Sequence, residues 1–91
     1  MSETVRAELR ITGWVQGVGF RYLADRRARS LGLGGFIRNE RDGAVTAAFE
    51  GPRDRVESMI AWCRRGPSGA EVDEVEIAWR EPLGVSGFAV G

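Results

Sequence analysis

The sequence contains neither histidine nor lysine. The first absence removes the commonest general base near neutral pH and the commonest metal ligand. The second removes any amine nucleophile or Schiff-base former. A single cysteine, Cys63, has no partner for an intramolecular disulfide or a thiolate metal site. The five serines, Ser2, Ser30, Ser58, Ser68 and Ser86, sit in no GxSxG context and have no histidine to activate them. No apolar run approaches the roughly 20 residues that span a bilayer, and no charged-then-apolar leader opens the chain. A cytoplasmic protein with no membrane partner is expected. Thirteen basic residues, all arginine, balance thirteen acidic ones, so the chain as a whole offers no field to nucleic acid. Any chemistry must run on arginine, amides, carboxylates and main chain.

The 91 residues suit one domain spanning 1–91, long enough to bury roughly 60–65% of the unfolded surface. Residues 5–12 alternate strictly, Val5, Ala7, Leu9 and Ile11 against Arg6, Glu8, Arg10 and Thr12, which indicates a half-buried strand. From Phe20 the period changes. Phe20, Ala24, Ala28 and Leu31 share a helical face with Leu23 beside it, and Gly32 suits the helix end. A hairpin follows, with a strand over about Gly35–Glu40, a turn at Asp42-Gly43, and Val45, Ala47 and Phe49 on one face of the return strand. After Gly51-Pro52, residues Val56, Met59, Ile60 and Cys63 form a core-facing helical stripe. Val75, Ile77 and Trp79 alternate in a fourth strand, and a short fifth around residues 87–90 carries Phe88 and Val90 inward. The order β-α-β-β-α-β predicts an α+β, ferredoxin-like split βαβ fold: an antiparallel sheet with both helices on one face.

Between the first strand and first helix lies "GWVQGVGFR", residues 13–21. Gly13, Gly17 and Gly19 lack a Cβ, so successive N–H groups can turn toward one centre as an anion-binding nest. The helix that follows adds unpaired N–H groups and the positive end of its dipole. Arg21 offers a planar fork matched to phosphate oxygens. Spacing by itself leaves this cradle and a plain tight connection equally open. Arg21 also has Asp25 one turn on, but with the cation N-terminal to the anion that pair contributes only about 0.3 kcal/mol. Asn39, just before the hairpin turn, is by position an ordinary turn residue. Its amide is also suited to holding a water.

"GWVQGVGFR", "GLGGFIRNERDGAV" and "FEG" before a second helix together resemble the acylphosphatase family, whose pattern runs GxVQGVxFR, then Gly-x-Val/Ile-x-Asn, an Asp-Gly turn and Glu-Gly. The resemblance extends from about Val5 to Val90. It implies hydrolysis of the carboxyl–phosphate anhydride of small acyl phosphates to carboxylate and inorganic phosphate, without metal or other cofactor. The family's catalytic arginine falls on Arg21 and its catalytic asparagine on Asn39. Its phosphate-binding loop falls on Gln16, Gly17, Val18, Gly19, Phe20 and Arg21. A monomer is expected, with acyl phosphate as its partner.

Rival readings fare less well. An RNA-recognition module needs aromatics and cations on the open sheet face, where Glu8, Arg10, Thr46, Ala48, Glu74 and Glu76 are expected instead. A metal carrier of this shape needs a CxxC. The alternative is a non-catalytic anion-binding regulatory domain, like the acylphosphatase-like segment within larger carbamoyl-transfer proteins; the short chain favours a stand-alone enzyme. Cys63, Phe49 and Trp79 read as core, and the acidic stretch around Glu71–Glu81 as a solvated face. Trp14 either walls the site or covers the sheet edge.

Overall fold

The strict alternation of residues 5–12 becomes strand β1, Thr4–Trp14, with Val5, Ala7, Leu9 and Ile11 buried. In this computed structural model residues 3–91 are described; Met1 and Ser2, the first two residues of the domain expected over 1–91, lie outside the described residues. Helix α1, Phe20–Ser30, buries Phe20, Ala24 and Ala28, whereas Leu23 stays exposed. The chain leaves α1 through two reverse hydrogen bonds, Gly32 N–H to the Arg29 carbonyl (3.0 Å) and Leu33 N–H to that of Ala28 (2.9 Å), which satisfy carbonyls the helix leaves unpaired. Strands β2, Gly34–Asn39, and β3, Val45–Pro52, form the expected hairpin. Helix α2, Arg53–Arg65, buries the stripe Val56, Met59, Ile60 and Cys63. Strands β4, Glu71–Arg80, and β5, Phe88–Val90, complete the order.

The sheet runs β4-β1-β3-β2-β5. Its first four strands pair antiparallel as expected, and β5 adds a parallel edge beside β2. Both helices cover the face that carries Leu9, Ile11, Ile37, Ala47 and Phe49, and one core cluster joins them. Among the described residues no helix is long and apolar enough to cross a membrane.

Two expected core residues are not core. Trp79 is 45% exposed because it lies on the edge strand at the end of the sheet where α2 begins. The Arg53 guanidinium lies over its ring there, at 5.2 Å. Val90 is half exposed because it lies on the outermost strand, with nothing flanking it beyond; Phe88 on the same face is buried and stacks on Phe49.

The helix-free face holds an unforeseen element. The segment from β4 to β5 must pass from one edge of the sheet to the other, and it crosses over Glu50. The Glu50 carboxylate accepts N–H bonds from Leu83 (2.9 Å), Gly84 (2.7 Å) and Val85 (3.0 Å), and one from Arg6 Nη1 (3.2 Å). Arg6 and Glu50 are both buried. Burial alone disfavours the Glu50 carboxylate, but the three N–H groups and the guanidinium outweigh it and hold its pKa below the ordinary 4.5. Removing one member of a buried pair strands the other charge. Glu50→Gln should therefore lower the unfolding free energy at pH 7 by about 3 kcal/mol. Because the folded-state pKa is depressed, this stabilisation is complete above the ordinary value of 4.5 and is lost as pH falls through the folded-state value. Urea titrations at neutral and at acid pH should show the gap between the two proteins narrowing in acid; a gap independent of pH would contradict this account.

Candidate active site

β1 ends at Trp14 and the chain reverses through residues 15–19 into α1. Within this stretch the glycines have separate tasks. Gly13 sits at a register shift between β1 and β4, where a Cβ would run into the main chain of Glu71 and Asp73. It serves close strand packing and not the turn. Gly17 and Gly19 take φ of 75° and 79°, with open space around both. They give the loop its reversal at no steric cost. Gly19 is the N-cap of α1, yet among the described residues no side chain caps that end by a hydrogen bond, and the first turn holds no acidic residue. The positive end of the helix dipole is thus left uncompensated.

Arg21 stands in this first turn and donates through Nη1 to the main-chain oxygen of Gly91. Asp25 does not pair with it. That carboxylate accepts from Arg29 Nε at 2.8 Å instead, the better orientation along a helix. Asn39 is the last residue of β2, opposite Val45. It shares the parity of buried Ile37, so it falls on the helix-covered face. Its Oδ1 is buried without a hydrogen-bond partner, an arrangement that costs about 1–3 kcal/mol in an acceptor left so.

These groups meet in a cavity of about 150 Å³ lined by Val15, Gly17, Gly19, Phe20, Arg21, Tyr22 and Asn39. The expected pair Arg21 and Asn39 therefore shares one small enclosure. Of the expected loop, Gly17, Gly19 and Phe20 line it, and the Phe20 ring packs edge-on against Trp62 (5.4 Å between centroids). Val18 packs against the core. Gln16 sends its carboxamide to the β2–β3 turn, where Nε2 donates to the carbonyls of Glu40 (2.7 Å) and Ala44 (2.9 Å). Val15 and Tyr22 were not foreseen. Tyr22 follows Arg21 on the exposed side of the first turn and lines the cavity, whereas Trp14, a candidate wall of the site, is 69% exposed and outside it.

On the adjoining hairpin, hydrogen bonds from Thr46 and then Arg38 keep the Glu40 pKa below its ordinary value. Arg10 does the same for Asp42, with help from the Ala44 N–H. Burial pushes the Cys63 thiol up to about 12, which makes it a core thiol and no nucleophile. A larger groove of about 470 Å³ at the opposite end of the sheet has no comparable convergence, since Arg53 is engaged there by Glu3 and by the Trp79 ring.

The acylphosphatase family model matches residues 7–90. An acylphosphatase of Thermococcus kodakarensis is 54% identical over 86 residues, 94% of each chain. The crystal structure of acylphosphatase from Bacillus subtilis superposes with a TM-score of 0.91 at 28% identity, covering 96% of this chain and 98% of that one. An acylphosphatase structure from Coxiella burnetii gives 0.92 at 30% identity, covering 97% of this chain and 93% of that one.

The left-handed N-cap yields a stability test. With open space around Gly19, an added side chain should cost only its backbone conformation, about 1 kcal/mol for Gly19→Ala. Gly19→Asn should cost less, because asparagine tolerates that region better. Equilibrium urea denaturation of the two variants checks the order.

Proposed function

The chain belongs to the acylphosphatase family, a family of hydrolases of acyl phosphates, and from that premise we propose that the cavity at the start of α1 is where the reaction occurs, with Arg21 and Asn39 as its catalytic residues. One observation carries the reading: the guanidinium and the unpartnered Asn39 acceptor line the same small cavity at an uncapped helix N-terminus.

The phosphoryl group binds through the main-chain N–H groups of residues 16–21 and the fork of Arg21, which together balance its negative charge. Asn39 Oδ1 accepts a hydrogen bond from a water and so fixes that water on the side of phosphorus away from the acyl oxygen. The water oxygen forms a bond to phosphorus as the bond from phosphorus to the acyl oxygen breaks. The electron pair leaves with the carboxylate, and a phosphoryl oxygen takes the water's proton. The products are a carboxylate and inorganic phosphate.

No general acid is needed, because the leaving group is the anion of an acid with pKa of about 4. The transition state is loose and its charge sits on three equatorial oxygens, so fixed donors stabilise it without transferring a proton. This is why a sequence without histidine can run the reaction. The reading calls on no metal, and every residue it invokes lies on one chain.

Release of phosphate from benzoyl phosphate, followed in the presence of a chelator, is the direct test, and the rate should match that without chelator. Arg21→Ala should lower kcat/KM by about 10³-fold or more and abolish the rise in melting temperature produced by inorganic phosphate. Asn39→Ala should lower kcat by about 10²-fold while the inhibition constant of phosphate stays within about two-fold, since Asn39 handles water and not the anion. Near-normal turnover by Arg21→Ala, or equal losses of kcat and phosphate affinity in Asn39→Ala, would refute the respective role.

A further inference from the structure

Gln16 opens the proposed phosphate-binding loop, residues 16–21, yet it does not line the cavity. Both donors of its carboxamide are spent on main-chain carbonyls, those of Glu40 and Ala44. An amide NH₂ has two donors, so this side chain has none left for a phosphoryl oxygen. The two carbonyls it holds close the base of the β2–β3 turn, where the Glu40 N–H also donates to Ala44 at 2.8 Å. Glu40 is the residue after Asn39. The carboxamide thus reaches from the loop that presents Arg21 to the turn that presents Asn39, across 24 and 28 residues of sequence. The other ties on this turn lead elsewhere: Arg38 and Thr46 bond Glu40 within the hairpin, and Arg10 of β1 bonds Asp42. Among the described residues Gln16 is the side chain whose hydrogen bonds join residues 15–19 to the hairpin.

We propose that Gln16 is a positioning residue whose carboxamide sets the distance and angle between the phosphate-binding loop and Asn39, so that the held water meets phosphorus in line. The inference rests on the roles assigned above to Arg21 and Asn39. Its physical content is a division of labour. Phosphate binding needs only the loop and Arg21, which lie on one side of the clasp. In-line attack needs both sides in register, and a misplacement of about 1 Å is enough to cost about 10²-fold in rate. Loss of the clasp therefore acts on kcat and leaves ground-state binding of the anion alone.

The test compares Gln16→Met, which keeps the length and removes both donors, with wild type, Asn39→Ala and the double variant, using benzoyl phosphate as substrate and inorganic phosphate as inhibitor. Gln16→Met should lose about 30- to 100-fold in kcat with KM and the phosphate inhibition constant changed less than about two-fold. A residue acting through Asn39 has nothing left to position once Asn39 is gone, so the double variant should turn over no more slowly than Asn39→Ala. Multiplicative losses in the double variant, or a phosphate inhibition constant that rises as kcat falls, would overturn the proposal. If Gln16→Met does not fold, Gln16→Leu replaces it; it also lacks the donors and adds no charge beside the anion, and the same pattern is expected. The Asn39→Ala arm separates the two levels. If that variant keeps its kcat, the assignment of Asn39 has failed; if it loses kcat and Gln16→Met does not, only the clasp has failed.

Discussion

Val45 pairs with Ile11 on one side and with Asn39 on the other. β3 runs antiparallel to both neighbours, so its first residue stands beside the closing stretch of β1 and the last residue of β2. The loop that follows β1 and the turn that follows β2 therefore emerge at the same edge of the sheet. Parity does the rest: Asn39 follows Ile37 by two and falls on the helix-covered face, where α1 begins. A slip of one residue would swing Asn39 to the open face. What resists the slip is the burial of Ile11, Ile37, Val45 and Ala47, whose apolar surface would go to solvent. The placement of the candidate site is thus a consequence of core registry.

Given that registry, the electrostatics of the cavity depend on where the neighbouring carboxylates go. Asp25, one turn beyond Arg21, is held by Arg29. Glu40, next to Asn39, is held by Arg38 and Thr46, and Asp42 by Arg10. Each of these carboxylates, neighbours in sequence of Arg21 and Asn39, is tied to a group other than Arg21. The guanidinium instead meets a main-chain oxygen, that of Gly91, which orients the side chain without adding a carboxylate side chain beside it. The first turn of α1 adds no acid either. The chain's formal charge sums to zero, but a local field such as that of the uncapped start of α1 acts on an anion regardless of the total.

The elements of the fold were legible wherever burial follows a period. The alternation of β1 and the i, i+3, i+4, i+7 stripe of α2 translate directly into buried faces, as does the pairing implied by the turn at Asp42-Gly43. The loop was legible because a strand, closely spaced glycines, an arginine and a helix follow one another locally. What was hidden depends on contacts between distant segments. Glu50 alternates outward like any solvated strand residue; it is buried because residues 83–85 cross above it, and nothing within β3 announces that crossing. Trp79 and Val90 have the right parity, but parity does not report that an edge strand outruns its cover. Gln16 entered the expected phosphate-binding loop only through the family resemblance, and the proximity of Glu40 and Ala44 shows where its donors are used. Tyr22 enters the cavity simply because the first helical turn is its rim.

The two ends of the sheet therefore work under opposite rules. At one end the two buried charges are answered: the Glu50 carboxylate takes four donors, Arg6 also bonds Glu8 at 3.1 Å, and the crossing segment delivers β5 to the edge of β2. That placement has effects at a distance, since Arg29 Nη2 donates to Phe88 (2.7 Å) and Arg21 to Gly91, both on the chain that the crossing segment leads into. At the other end a helix terminus is uncapped and a buried amide oxygen lacks a partner, two features that each cost stability. Such local deficits persist where the surroundings over-determine them. Here the surroundings are the sheet registry and the anchored crossing. The open donors and the free acceptor that the proposed chemistry requires are therefore compatible with a stable sheet because the opposite end is anchored.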